Sequence, residues 1–343
     1  MTSVGQSVNN DLMGLVSPLS ARQLDISRFD LDVPAGGYAW WYVDALSDDG
    51  KYGFTVIAFI GSVFSPYYAW SGRARPHNHC AINVALYGPD RTRWAMTERG
   101  ARDLETGPDW FRVGPSEIHR RPDSLEIQIC ERGAPFPRKV EGTIRLTLDT
   151  PHQTIFDIAG NGRHDWQPIA PSARVEVAFT APELSWSGQA YFDHNRGRAP
   201  LEDDFSYWDW ARGDLSSGET VIFYNTDLRD GRSLRLSRVF KKDGTSTPIP
   251  HPPKHILKPS PIFRIKRRTA ADTAYVRKGA IQTLEDTPFY ARSVIDSWAM
   301  GEPVRMMHES YVGGRFRSPI TKLMLPFRMP RIAGSGKPTS SRP

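Results

Sequence analysis

Only two cysteines, Cys80 and Cys130, occur in 343 residues. That is too few for a disulfide framework, and each lies inside an apolar, strand-like run. Both read as small buried hydrophobes rather than bridge partners or metal ligands. No stretch approaches the ~20 consecutive apolar residues of a membrane-spanning helix. Met1 to Gln23 carries neither a basic leader nor a continuous apolar run. No secretory signal is therefore expected, and the expected compartment is the cytosol or the cytosolic face of a membrane. A Walker sequence, a G-x-S-x-G elbow and a dinucleotide-type glycine pattern are all missing. So are zinc-finger spacings, RNA-binding signatures and basic helices, which leaves no expected nucleic-acid partner. Helical periodicity is scarce for a physical reason. Gly and Pro each occur 28 times, and both penalise helix interiors.

What is present is alternation. The runs Gly53–Ile60, Cys80–Tyr87, Leu125–Cys130, Thr143–Leu148, Arg174–Phe179, Thr220–Tyr224 and Ser233–Leu236 have strand character. In Arg174–Phe179 the period of two puts Val175, Val177 and Phe179 on one face. Turn chemistry separates the runs at Asp48-Asp49-Gly50, Gly88-Pro89-Asp90, Arg229-Asp230-Gly231 and Asp243-Gly244. The fold class expected is all-β, with two antiparallel barrel or sandwich halves and few short helices. The Pro-rich stretch Thr150–Pro171 suggests a break between them. The expected division is an N-terminal extension (1–30), a first β domain (31–160), a second (161–331) and a tail (332–343). One helix is expected over Thr287–Met300, with Thr287 as N-cap and Pro288 at the first helical position.

Charge is unevenly placed. From Lys254 onward there are 17 Lys and Arg against 6 Asp and Glu, a net +11 within an overall +6. A basic third on a mildly acidic body suits a molecule with one face toward an anionic surface. Ile320–Arg331 interleaves apolar and basic residues, as a segment at a lipid headgroup boundary does.

The densest chemistry lies in Gly188–Arg212, where Asp193-His194-Asn195 precedes Glu202, Asp203, Asp204 and the aromatics Phe205, Tyr207, Trp208 and Trp210. Asp193 and His194 sit where an alternating strand meets a loop, a position expected to open into a barrel mouth. Tyr224 and Asp227 form a second group at the end of another strand. His77-Asn78-His79-Cys80 has the look of a metal half-site with no completing partner, so no metal is expected. His164, Asp165 and Trp166 receive no role.

Several blocks carry a family resemblance: VIAFIGSVFSPYYAW (56–70), NHCAINVALYG (78–88), RWAMTERG (93–100), YFDHN followed by PLE and WDW, and MMHES with LPFRMPR near the end. They are similar to the carotenoid 1,2-hydratase (hydroxyneurosporene synthase) family. The resemblance implies a lipocalin-like fold around an apolar cavity. It implies hydration of a terminal double bond of a long acyclic carotenoid such as neurosporene or lycopene, with no organic cofactor. It also implies a functional His, a Trp two positions beyond it, a Tyr and an Asp. These are matched to His194, Tyr224 and Asp227. The position two beyond His194 is Arg196, which shifts the aromatic's role to Trp208 or Trp210.

Hydrating an isolated alkene requires protonation at C2 and capture of a tertiary C1 cation by water. An exposed Asp, with a reference pKa of ~3.9, is ionised at neutral pH; burial raises it and supplies the acid. Asp193 or Asp227 is the expected donor, with His194 orienting it or deprotonating water. Tyr207, Trp208, Trp210 and Tyr224 are the expected cation-stabilising rings. Phe54, Val56, Phe59, Ile82, Val84, Ile222 and Phe223 are the expected tunnel lining. A cyclase or isomerase using the same proton donor, and a non-catalytic carotenoid carrier, remain as alternatives. The expected partners are the carotenoid, water and a membrane surface on which the protein is peripheral.

Overall fold

The computed structural model describes residues 27–90, 92–272 and 281–332. Most of the 1–30 extension and of the 332–343 tail therefore lies outside the described residues. The chain is all-β. Strands β1 (Tyr38–Ser47), β2 (Gly53–Ile60), β3 (Cys80–Tyr87), β4 (Arg93–Met96), β5 (Leu104–Gly107), β6 (Trp110–Val113), β7 (Ser116–Arg121), β8 (Ser124–Arg132), β9 (Lys139–Leu148), β10 (Phe156–Asp157), β11 (His164–Ala181) and β12 (Glu183–Gly197) build one 12-stranded sheet. Its order is β4-β3-β2-β1-β12-β11-β9-β8-β7-β6-β5, with β10 beside β11.

A second, 7-stranded sheet follows. It comprises β13 (Phe205–Asp214), β14 (Thr220–Leu228), β15 (Ser233–Phe240), β16 (Ser246–Pro248), β19 (Ile281–Asp286), β20 (Tyr290–Ala299) and β21 (Glu302–Val312), ordered β16-β15-β14-β13-β21-β20-β19. A ribbon of β17 (Lys254–Leu257) and β18 (Arg267–Ala270) packs beside it. The helices are single turns, among them α1 (Pro66–Trp70), α2 (Leu201–Asp204), α3 (Gly313–Phe316) and α4 (Pro319–Met324).

Gly53–Ile60 and Cys80–Tyr87 form strands over the bounds their alternation suggests, and Val175, Val177 and Phe179 are buried on one face of β11. The Asp48-Asp49-Gly50 turn closes the β1–β2 hairpin, with Gly50 at φ 68, where a side chain would be strained.

Two sequence expectations are corrected. The sheets do not part near residue 160: β11 and β12 complete the first sheet through β1 and β9, and the change of sheet falls between Gly197 and Phe205. Pro168 and Pro171 sit within β11, where register shifts between Pro168 and Ala173 absorb the missing donors. Residues 287–300 are not helical. Thr287 Oγ1 accepts from the Tyr290 amide and donates to its carbonyl, closing a turn, and Tyr290–Ala299 then pairs with β21 along its length. Long-range pairing overrides a local N-cap signal.

Three apolar layers result. Odd-numbered β1 residues (Trp41, Val43, Ala45) face a core enclosed by the first sheet, whereas Tyr38, Trp40 and Tyr42 face a second core shared with β13, β14, β20 and β21. The third core lies on the far side of the second sheet. The middle, inter-sheet layer holds the site.

Candidate active site

Between the sheets lies a cavity of about 630 Å³. Its deep wall includes Trp40, Tyr42, Phe59, Trp208, Tyr290, Arg292 and Glu309, all buried or nearly so. Its mouth includes Ile262, Met324, Phe327 and Arg328. Of the lining expected from sequence only Phe59 faces this cavity. Phe54, Val56, Ile82 and Val84 face the first-sheet core, Phe223 faces the third, and Ile222 packs in the middle layer without lining the cavity. The cavity takes Ile57 and Phe59 from β2, with Asn83, Ala85 and Tyr87 from β3. Both faces of these strands are buried, so hydrophobicity alone does not say which face meets a ligand.

Asp193 occupies the middle layer behind the cavity's deep wall. The Tyr42 ring lines the cavity, Tyr191 and Trp210 pack against it at 6.1 and 5.9 Å between centroids, and Tyr191 reaches Asp193. One carboxylate oxygen, Oδ2, accepts from the Trp166 indole N–H at 2.9 Å and from the Tyr191 hydroxyl at 2.8 Å. The other, Oδ1, has no hydrogen-bond partner among the described residues. Burial pushes the Asp193 pKa well above the ordinary carboxylate range. The donors Trp166 and Tyr191 pull it down, and the negative charges of Glu309 and Asp44 add to the rise. Among the described residues no cation contacts it. These surroundings favour its neutral form over its ionised one.

His194, one residue on, points the opposite way. Its ring lies 4.9 Å from Trp41 in the first-sheet core, Nδ1 bonds the Trp40 carbonyl at 3.0 Å, and burial lowers its pKa to about 3. The expectation that it orients Asp193 or activates water beside it fails on strand parity: adjacent residues face opposite sides. Arg196 shares that parity and pairs with Asp165 at 2.9 Å, away from the cavity.

The second expected group splits for the same reason. Tyr224 is buried in the middle layer, its ring 5.3 Å from Trp166. Burial, then the Asp193 charge, pushes its hydroxyl pKa well up. Asp227, three residues on, faces the other side. Its side chain is 27% exposed and pairs with Arg268 at 2.5 Å and Arg235 at 3.0 Å. Burial pushes its pKa up, but Arg268 with Ser233 and Arg235 outweighs that, and the net shift is downward. These cations favour its ionised form. Tyr207 belongs to this outer cluster, under the Arg268 guanidinium at 4.2 Å and bonded to Ser310 at 3.1 Å. Trp208 and Trp210 face inward: Trp208 stacks on Tyr311 at 4.0 Å and lines the cavity, and Trp210 packs on Tyr191 at 5.1 Å.

Sequence reasoning passed over His164, Trp166 and Tyr191. The signal was spacing. His164-Asp165-Trp166 and Tyr191-Phe192-Asp193 are both i, i+2 pairs, which a strand presents on one face. The His-x-Trp spacing that Arg196 interrupts after His194 is met here. His164 is fully buried, with Nδ1 2.9 Å from the Tyr38 hydroxyl and Nε2 2.6 Å from Asp204. Gly197 makes room for this pair: a Cβ there would lie 2.3 Å from the Tyr38 ring and 2.8 Å from His164 Nδ1.

Two buried networks tie the sheets together around the cavity. Arg212 of β13 pairs with Asp44 of β1. Arg292 of β20 donates to Glu309 at 3.0 and 2.8 Å, to Glu285 at 2.6 Å and to the Tyr87 hydroxyl of β3 at 2.9 Å. The His77–Cys80 segment is similarly structural: His79 Nδ1 lies 2.7 Å from Glu98, which also pairs with Arg331. Among the described residues no group of three or more His, Cys, Asp or Glu is placed to hold a metal.

A family model for carotenoid hydratase CrtC matches residues 56–337. The chain is 47% identical over 310 residues to the acyclic carotenoid 1,2-hydratase of Thiocapsa roseopersicina, covering 90% of this chain and 76% of that one. It is 45% identical over 312 residues to the enzyme of the same name from Rubrivivax gelatinosus, covering 89% and 76%. Against that of Cereibacter sphaeroides the identity is 39% over 280 residues, covering 81% and 99%. Among solved structures, an AttH protein from Nitrosomonas europaea superposes with a TM-score of 0.58 at 15% identity, over 80% of this chain and 92% of that one. That likeness concerns the lipocalin-like fold.

Proposed function

The chain belongs to the carotenoid hydratase family, and from that premise we propose a hydro-lyase that adds water across the terminal C1=C2 bond of an acyclic carotenoid such as neurosporene or lycopene. The observation that carries the proposal is Asp193: a buried carboxyl with two neutral donors and, among the described residues, one unpartnered oxygen and no cation in contact. One end of the polyene enters the cavity, and the Tyr42 and Trp210 rings part to bring C2 to Oδ1. The O–H bond of Asp193 breaks as the C2–H bond forms, leaving a tertiary cation at C1. The electron-rich faces of Tyr42, Tyr191, Trp208 and Trp210 surround that charge. Each ring contributes ~0.5–2 kcal/mol, and Glu309 adds a fixed negative field. Water then bonds to C1 and returns a proton to Asp193. The burial that makes Asp193 a reluctant anion makes its carboxylate a strong base, so one group both gives and regains the proton.

Trp166 and Tyr191 are positioning residues that aim the carboxyl, and Tyr38 with Asp204 fixes His164 beside them. The cycle as proposed runs on side chains and water alone. A carrier has no use for a neutral buried acid, and a cyclase would make the same cation but exclude water. Incubating the purified protein with lycopene in oxygen-18 water tests the reading. Labelled tertiary alcohol is expected; an isomeric hydrocarbon or unchanged lycopene would overturn it. A cytoplasmic protein, peripheral on the inner or photosynthetic membrane that holds the substrate, is part of the same proposal.

A further inference from the structure

Apolar side chains as large as Ile, Leu and Phe are rarely left fully in water in one contiguous group unless something covers them. Here Ile262, Ile320, Leu323 and Phe327 are 74%, 71%, 70% and 69% exposed. They come from two segments, the loop 261–264 and the stretch from α3 through α4 to Arg331. Arg315 of α3 bonds the Phe263 carbonyl, which joins the two segments into one surface. Ile262, Met324 and Phe327 also line the mouth of the cavity, so this surface rims the opening.

Its charge is of one sign. Residues 258–266 and 313–331 contain eight Lys and Arg and no Asp or Glu. Arg264, Arg315, Arg317 and Arg328 are exposed among the apolar side chains. The nearby acids are engaged: Asp286 accepts the Ile262 amide at 2.6 Å and the Phe263 amide beneath the loop, Asp203 lies 4.0 Å from Arg317, and Glu202 lies 3.9 Å from Lys322.

We propose that this rim docks on an anionic lipid bilayer, with Ile262, Ile320, Leu323 and Phe327 inserted at the headgroup boundary and the surrounding arginines on lipid phosphates. The cavity then opens into the hydrocarbon layer, and an apolar ligand passes from lipid to protein without crossing water. Apolar side chains interleaved with Arg and Lys are the chemistry of an interfacial segment. A protein partner gives no reason for the ligand cavity to open through the middle of the patch. The ligand class rests on the hydratase reading; the docking itself does not.

The test uses the full chain and vesicles of phosphatidylcholine alone or with phosphatidylglycerol. Flotation is expected with the anionic vesicles and is expected to weaken on raising salt. The double variant Ile320→Ser/Leu323→Ser changes exposed residues that do not line the cavity. It should bind at least tenfold more weakly with an unchanged melting temperature, and Arg264→Glu/Arg317→Glu should do the same. Hydration of lycopene supplied in detergent should persist in the double variant, while hydration of lycopene held in vesicles should fall in step with binding. Flotation unaffected by either double variant, or absent with both vesicle types, overturns the proposal. So does self-association through this face. Loss of detergent activity in the wild-type chain would count against the hydratase reading alone.

Discussion

Asp193 and Asp227 stand at corresponding places in their sheets, each near the end of a strand with a tyrosine two or three residues before it. They have become opposite kinds of group. Asp193 is buried against an indole N–H and a phenol, both neutral, with negative charges from Glu309 and Asp44 nearby. Asp227 faces the guanidinium groups of Arg235 and Arg268 at the edge of solvent. Burial acts upward on both; the sign of the neighbouring charge decides the outcome. A carboxyl becomes a useful acid when its hydrogen-bonding partners are uncharged, and becomes structural glue when they are cations.

The sharpest way to break this comparison is Asp193→Asn, which should lower kcat by about 10³-fold or more while leaving the circular dichroism unchanged. The same residue sets a pH signature. Hydration requires the protonated form, so kcat should hold at low pH and fall as pH rises through the raised Asp193 pKa. Stability follows the same sign. The folded value lies above the unfolded one, so Asp193's contribution is present at low pH and lost as pH rises through the folded value. Asp193→Asn lacks that loss, and its melting temperature should overtake the wild type's on the alkaline side.

Trp166→Phe and Tyr191→Phe come next. Each removes a donor that favours the carboxylate, so the alkaline limb of the kcat profile should move to higher pH as kcat drops about tenfold from lost aim. Glu309→Gln works the other way: removing a negative neighbour lowers the Asp193 pKa, moves that limb to lower pH and costs about three- to tenfold in kcat. Asp227→Asn should change least, leaving kcat within about twofold and costing about 1 kcal/mol of stability from a part-exposed ion pair. Its effect would be read in denaturant titration. A large loss of activity in Asp227→Asn would erase the distinction between the two aspartates.

Much of the architecture was legible because alternation is a direct print of sheet burial. β2 and β3 were readable to their ends, and the turns at Gly50, Gly231 and Gly244 follow from residues that accept positive φ. The sheet division was not, because β11 carries two prolines that look like punctuation and are tolerated by register shifts. Asp193, Trp208, Trp210 and Tyr224, all expected from the sequence, do lie in the inter-sheet layer. The errors there share one cause: proximity in sequence was allowed to stand for proximity in space. His194 beside Asp193, and Asp227 three from Tyr224, differ by odd numbers and so face opposite ways. Tyr191 and Trp166, which hydrogen-bond Asp193, were reachable by counting in twos along β12 and across to β11. The side of a doubly buried strand that meets a ligand is set by the second sheet, which no local pattern in β2 or β3 encodes.

Asp193 lies behind a single wall of the inter-sheet chamber, so in the proposed reaction a long, stiff polyene offers it one tip at a time. A molecule with identical tips must then be released, turned end for end and admitted again before its second tip can react. Singly hydroxylated material should build up early in a time course and be consumed later, and adding fresh substrate should delay the doubly hydroxylated product.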